Sequence, residues 1–286
     1  MNTEQKLILT SVDNSPWGEA VVDYAAWIAN TVKAPLKFLH TVEHLSQQEN
    51  LDLSGAIGLG ARGDLLEELI ELEQSRSRLL IKKGQFMLQA AKSKAKELKV
   101  NDIRSSQRHG DLTEALIELE DQIRVLVIGT RDKDGLNHSR TVSKIKTIVR
   151  ALHKPILVVN GHFQKPQKIM LAYSNNAASQ KALQMVSTSP LFVGMECHLV
   201  HVGESTSQMN TLMQAAVESL QNNNVTVSKV FLTGKIEEAL INYRQQENLD
   251  LTVMGAFSHN KVHDFLLGSF TAKMLEKTRK PLLLLR

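Results

Sequence analysis

The residues with the clearest potential for chemistry are glycines and a serine that could hold a phosphate group. Gly255 ends a predicted buried strand, and Gly268-Ser269 opens the next predicted helix. A glycine lets backbone N–H groups approach an anion closely, a helix start adds a positive dipole, and a serine hydroxyl adds a donor. The same residues could equally be a turn glycine and an ordinary helix start. The spacing alone leaves both interpretations open.

Two other patterns point less clearly to a site. Gly58, Gly60 and Gly63 match the dinucleotide-binding pattern G-x-G-x-x-G, but they do not follow the first strand of a βαβ unit. A flexible loop or hinge is therefore the preferred interpretation. His259 and His263 are four residues apart, and without a third ligand they give only a weak metal signal. We predict no metal site.

The composition excludes several classes of protein. The chain has 286 residues, of which 42% are hydrophobic and 22% charged, as is typical of a folded globular protein. A net charge of +4 is too small for a dedicated nucleic-acid binder. Cys197 is the only cysteine, so an intramolecular disulfide is excluded, and it is expected in the core. The chain has neither a signal-peptide pattern nor an apolar run of membrane-spanning length, and we expect a cytoplasmic protein.

Strand and helix patterns alternate along the chain. This order predicts an α/β fold with a parallel sheet covered by helices on both faces. The predicted strands are residues 6–12, 35–42, 100–108, 124–130, 155–160, 168–174, 196–202, 225–232, 249–255 and 281–285. The predicted helices are residues 18–33, 64–99, 112–122, 139–153, 177–187, 206–221, 236–246 and 268–277.

The same order of elements occurs twice, which indicates an internal repeat. Three segments of the first half recur in the second: 110–116 as 234–240, 125–129 as 251–255, and 154–157 as 280–283. His40 and His201 also occupy equivalent strands. We therefore predict two tandem Rossmann-like, doubly wound domains. The first spans residues 1–162, with a helical insertion at about 44–99, and the second spans residues 163–286.

These motifs resemble the universal stress protein family in its tandem, two-domain form. ATP-binding members carry G-x-x-G, nine residues and then G-[ST] after the fourth strand, and Gly255, Ser258, Gly268 and Ser269 have that spacing. A serine replaces the second glycine. The family also carries V-D-x-S after the first strand, where the aspartate contacts the adenosine. Asp13 matches it in the first half, whereas the second half has a serine in its place.

The resemblance implies a nucleotide site in the second half. The implied binding residues are Tyr173, Ser174, Val202, Gly255, Ser258, His259, Gly268, Ser269 and Phe270. The implied ligand is ATP or AMP, and a requirement for Mg²⁺ stays open. In the first half the implied site is degenerate: Asp13, Val42 and Gly129 remain, but the Gly-Ser pair of the phosphate loop is Val142-Ser143. Val42 and Val202 would be the valines that pack on the adenine.

The leading expectation is a stress-response protein that binds an adenine nucleotide without strong catalysis. A slow ATPase lacks a visible general base or set of metal ligands. The alternative is a nucleotide-free module that binds a ligand or partner, with degenerate sites. The two domains are expected to form a pseudo-dimer through their last strands, and a homodimer is possible. A leucine stripe in the insertion, at 65, 66, 69, 72, 79 and 80, is a candidate contact for a partner or a ligand. No nucleic-acid or membrane partner is expected.

Overall fold

The computed structural model describes residues 5–13, 17–42, 59–130, 138–256 and 264–286. The first half contains β1 (Leu7–Ser11), α1 (Gly18–Val32), β2 (Leu36–Val42), α2 (Leu59–Glu97), β3 (Ile103–His109), α3 (Leu112–Glu118), β4 (Ile123–Gly129), α4 (His138–Ala151) and β5 (Ile156–Val159). The second half contains β6 (Lys168–Ala172), α5 (Ala177–Thr188), β7 (Glu196–Val202), α6 (Ser207–Gln221), β8 (Thr226–Leu232), α7 (Ile236–Gln246), β9 (Leu251–Gly255), α8 (Asp264–Lys277) and β10 (Leu282–Leu285).

The strands form one ten-stranded sheet in the order β3-β2-β1-β4-β5-β10-β9-β6-β7-β8. Neighbouring strands are parallel except at the centre, where β5 and β10 run antiparallel and Leu157 lies opposite Leu283. The predicted α/β fold with a mostly parallel sheet is confirmed. The pairing of the two last strands is also as expected.

Both faces of the sheet are buried, because alternate residues of each strand enter two different cores. On β4, Val125 and Val127 pack into one core, and Leu126 and Ile128 pack into the other. Helices α1, α2, α5 and α6 cover the first face, and α3, α4, α7 and α8 cover the second. Near-continuous apolar strands are what a parallel sheet covered on both sides requires. No helix in the described ranges is long and apolar enough to cross a membrane.

The structure corrects the interpretation of the glycine-rich segment. Helix α2 begins at Leu59, so Gly60 and Gly63 lie inside a helix and form neither a hinge loop nor a dinucleotide-binding turn. Such a turn needs a strand directly before it, and β2 has already ended at Val42. Gly58 lies outside the described residues.

The predicted insertion is also shorter than 44–99. The C-terminal part of α2 buries Leu88, Ala91 and Ala95 against the first face of the sheet, as α6 does in the second half. A crossover helix between two parallel strands is needed in both halves. The segment without a counterpart therefore lies before this part of α2.

Helix α8 begins four residues earlier than predicted, at Asp264 rather than Gly268. The backbone N–H groups at the start of a helix have no partner within it, whereas those one turn later are bonded to the preceding turn. Gly268 and Ser269 thus lie in the second turn of α8 and do not form the helix start that the sequence suggested.

Candidate functional site

A cavity of about 370 Å³ lies at the carboxyl ends of β6, β7 and β9. Its lining comprises Ala172, Tyr173, Ser174, Asn176, Ser179, Val200, His201, Val202, Ile236, Glu237, Leu240, Met254, Gly255, Phe270 and Lys273. Strands β6 and β9 are neighbours in the sheet. The chain passes from β6 to β7 on one side and from β9 to β10 on the other side. Ligands of open α/β sheets bind at such a reversal, so the cavity occupies the place that the topology favours.

One side of the cavity is an apolar slot. Val200 and Val202 project from the same face of β7, and Leu240 of α7 and Met254 of β9 belong to the same core. Phe270 of α8 is half-buried and packs on this core. Apolar walls of this kind suit an aromatic ring better than a charged group.

Polar groups lie where β6 passes into α5. The side chain of Asn176 caps α5 by accepting a hydrogen bond from the Ser179 N–H (2.8 Å), and its Nδ2 donates to the Ser174 hydroxyl oxygen (3.0 Å). Ser174 directly follows Tyr173, as Asp13 follows Val12 in the first half. The cavity therefore has a neutral hydroxyl at the position where the first half has a carboxylate.

Tyr173 borders the cavity but directs its hydroxyl elsewhere. That hydroxyl bonds to Asn175 Oδ1 (3.1 Å) and accepts from Gln180 Nε2 (2.7 Å), and burial raises the pKa of the phenol. The Tyr173 carbonyl accepts a hydrogen bond from His201 Nδ1 (3.0 Å). Tyr173 thus fixes the local backbone, and its polar group is not presented to a ligand.

An ion pair between Glu237 of α7 and Lys273 of α8 forms part of the cavity wall. The hydrogen bond from Lys273 lowers the pKa of the Glu237 carboxyl, and the same bond raises the pKa of the Lys273 ammonium. The sequence does not predict this pair, because 36 positions separate the two residues and neither belongs to a recognised motif. Each partner compensates the charge of the other at the mouth of the cavity.

Gly255 has a structural reason to be glycine. A Cβ atom there would lie 2.7 Å from Ala178 Cβ and 2.9 Å from the Ser179 backbone nitrogen, both at the start of α5. Real Cβ atoms essentially never come so close, so β9 can approach α5 only with a glycine at this position. The glycine by itself is not evidence for phosphate binding.

The cavity brings together five of the nine implied residues: Tyr173, Ser174, Val202, Gly255 and Phe270. Gly268 and Ser269 lie in α8, directly before Phe270. Ser258 and His259 fall outside the described residues. Asn176, Lys273 and the lining residues of α7 were not predicted from the sequence. Asn176 lies between a strand end and a helix start, and α7 contributes residues from its start, so a search at such positions could have found both. No comparable signal marks Lys273.

In the first half, the corresponding strand ends carry Asp13, Val42 and Gly129. The strand register corrects one equivalence. Ser11 lies opposite Leu39 as Ala172 lies opposite Val200, so the counterpart of Val202 is Thr41 and not Val42. Among the described residues, no three His, Cys, Asp or Glu side chains come together in a way that could hold a metal ion.

Comparisons with known proteins identify the family. The model of the universal stress protein family matches residues 5–160 and 205–286. Universal stress protein Slr1230 from Synechocystis sp. is 29% identical over 286 residues, covering 98% of this chain and 100% of that protein. The fold is similar to that of a universal stress protein from Archaeoglobus fulgidus, with TM-score 0.72, 14% identity, and coverage of 98% of this chain and 96% of that one. It is also similar to a putative universal stress protein from Pseudomonas aeruginosa, with TM-score 0.60, 14% identity, and coverage of 98% and 93%. The chain belongs to the universal stress protein family.

Proposed function

We propose that the second half binds an adenine nucleotide, ATP or AMP, in the cavity between β6, β7 and β9. One observation carries this proposal: an apolar slot and a short polar rim meet at the reversal of strand order. A volume of about 370 Å³ lies within the range of small-ligand pockets, which are mostly apolar with a few polar groups that fix orientation. In this proposal the adenine ring lies in the slot beside Val202, and the Ser174 hydroxyl bonds to a polar edge of the ligand.

The phosphates would extend toward α8. Lys273 of α8 is a cation in the wall, and Gly255, at the end of β9, also lines the cavity. In the resemblance, Ser258 and Gly268 are among the phosphate-binding residues. Glu237 opposes an anion here, because its carboxylate neutralises Lys273. Binding is therefore expected to depend more on the base and ribose than on the number of phosphates.

The alternative function is a nucleotide-free module that binds another small ligand or a partner. Two features favour it: a serine in place of the family's aspartate, and the compensation of Lys273 by Glu237. Mass spectrometry of small molecules released from the purified protein separates the two functions. A bound adenine nucleotide supports the proposal, whereas a different molecule supports the alternative.

Titration calorimetry with matched variants tests the location of the site. Val202→Trp would fill the apolar slot and abolish binding of ATP and AMP. Thr41→Trp changes the equivalent position of the first half and is the control, so its affinity should equal that of the wild type. Equal losses in both variants, or none in Val202→Trp, would contradict binding at this cavity.

We further propose that the protein does not hydrolyse ATP at a substantial rate. Phosphoryl transfer needs a positioned water, compensation of the γ-phosphate charge and usually Mg²⁺ ligands. A lysine that binds the ground state and the transition state equally does not raise kcat. A single-turnover assay with radiolabelled ATP and Mg²⁺ at protein excess should give no released phosphate. Release that disappears in Asp264→Asn would make the protein an enzyme.

A further inference from the structure

Helix α2 presents two apolar faces, of which the sheet covers only one. Gly84, Leu88, Ala91 and Ala95 are buried against the sheet and α1. Before Gly84 the helix continues for about seven turns, and almost every described side chain from 68 to 80 is exposed. An exposed helical segment of this length gains little stability from its own propensity and usually packs on something.

The second apolar face is a row of residues with a spacing of seven. Leu72, Leu79 and Phe86 are 61%, 68% and 76% exposed, and Leu65 continues the row in the sequence. Leu79 and Phe86 lie about 220° and 200° around the helix axis from the buried Gly84, on the opposite side of α2. Helices that pair carry two apolar positions in every seven residues, and this row supplies one of the two.

The charges beside this row are divided between its two ends. The described acidic residues lie before the midpoint, and the basic residues lie after it; all are exposed: Glu68, Glu71 and Glu73, then Arg76, Arg78, Lys82 and Lys83. Two parallel copies of this segment would place like charges together. Two antiparallel copies would place the acidic end of each on the basic end of the other, so the segment is complementary to itself.

We propose that α2 docks against α2 of a second copy of this chain in an antiparallel pair. Leu72 then lies beside Leu79 of the second copy, and the two-fold axis passes close to Ser75. Glu68 is four residues before Leu72, and Lys83 is four residues after Leu79, so this alignment brings Glu68 and Lys83 together across the pair. Helix α2 belongs to the first half, whereas the cavity is lined by residues of the second half.

The size of the row predicts the strength of the association. Each copy contributes a few largely exposed apolar side chains rather than a full coiled-coil seam, and the flanking charges are in water. The dimer should therefore dissociate on dilution, and salt should weaken it because the charges are screened.

Cross-linking through an introduced cysteine tests the contact and its direction. Ser75→Cys places two thiols next to each other at the two-fold axis, so mild oxidation should give a covalent dimer. Ser93→Cys, on the same helix, is the control: its two thiols would be about 50 Å apart in the antiparallel pair. Cys197 is fully buried and adds no background. Cross-linking of both variants would indicate a parallel pair, and cross-linking of neither would overturn the proposal.

Charge reversal gives a second, independent test on the intact chain. Sedimentation velocity over a concentration series should show a dimer for the wild type. Glu68→Lys/Glu71→Lys puts two basic residues at the acidic end, and Lys82→Glu/Lys83→Glu puts two acidic residues at the basic end. Each variant should dissociate at concentrations at which the wild type is dimeric. The four substitutions together restore complementarity and should restore the dimer. A monomeric wild type, or association unchanged by either double reversal, would show that α2 does not pair with itself. Circular dichroism confirms that each variant is folded.

Discussion

His40 and His201 make the same hydrogen bond in the two halves of the protein. His40 Nδ1 donates to the Val12 carbonyl at 2.8 Å, and His201 Nδ1 donates to the Tyr173 carbonyl at 3.0 Å. Each imidazole thus ties the end of one strand to the residue that precedes Asp13 or Ser174. The two rings differ on their other side, because Gly84 of α2 packs against His40, whereas Gly203 lies next to His201.

Gly84→Ala should destabilise the first half. A Cβ atom there would lie 2.3 Å from His40 Cδ2 and 2.6 Å from Gln107 Nε2, and both side chains are already held by hydrogen bonds. We expect a loss of about 1–3 kcal/mol in the free energy of unfolding, despite the better helix propensity of alanine. Urea denaturation measures it. Gln85→Ala, at the exposed neighbouring position, should be nearly neutral or slightly stabilising, and an equal loss there would refute the packing argument.

Glu237→Gln should strengthen the binding of anionic nucleotides. The substitution removes the carboxylate that compensates Lys273, so the ammonium can serve a phosphate. The gain should be modest, a few-fold at most, because water screens exposed ion pairs and each contributes little. Calorimetry should show the gain for ATP and not for adenosine. Glu238→Gln, whose partner Lys235 does not line the cavity, is the control and should leave both affinities unchanged.

The same ion pair predicts a loss of stability in acid. The bond from Lys273 holds the pKa of the Glu237 carboxyl below its ordinary value of 4.5. The pair therefore stabilises the fold fully above that value, and its contribution is lost as the pH falls through the lower, folded pKa. Thermal unfolding between pH 6 and pH 3 should show a smaller decline for Glu237→Gln than for the wild type. If the melting temperatures of the two proteins fell equally with pH, the lowered pKa of Glu237 would be contradicted.

Cys197 should be inert in the folded protein. It is completely buried in β7, and burial raises the pKa of its thiol to about 12. Since the thiolate is the reactive form, a thiol reagent at pH 8 should modify it only after denaturation. The introduced Ser75→Cys, on the exposed part of α2, should react at once under the same conditions. Rapid modification of the native wild type would mean that β7 opens.

Removal of residues 51–63 should leave both halves folded. The described part of α2 that packs on the sheet begins near Gly84, and the second half closes over the same region with the shorter α6. The variant should keep a cooperative unfolding transition close to that of the wild type. A non-cooperative transition, measured by calorimetry, would place the removed segment in the core.

Local patterns predicted most of the fold. The structure gives β7 as Glu196–Val202 and α7 as Ile236–Gln246, the bounds that the sequence predicted, because each pattern is flanked by clear turn residues. The predicted start of α8 at Gly268 was wrong. Gly268-Ser269 has the composition of a helix boundary, but Asp264 and Phe265 are also compatible with a helix, and α8 begins at Asp264. Tertiary context decided between them.

The cavity was harder to predict than the fold. Strand ends indicated Ser174, Val202 and Gly255, since ligand sites of such sheets lie at the carboxyl ends. The pairing of Glu237 with Lys273 depends on how α7 packs on α8, which no local periodicity records. The close approach of α5 to Gly255 likewise depends on the packing of α5 on β9. It gives a structural reason for the glycine, which the sequence had suggested as a phosphate-binding residue.

The antiparallel seam between β5 and β10 turns the two repeats head to tail. The carboxyl ends of β1, β2 and β4 point in one direction along the strands, and those of β6, β7 and β9 point in the opposite direction. Asp13 and the cavity of the second half therefore open on opposite sides of the molecule. One nucleotide cannot combine the carboxylate of the first repeat with the loop of the second inside one chain, so each repeat must depend on its own residues and neither can complement what the other has lost.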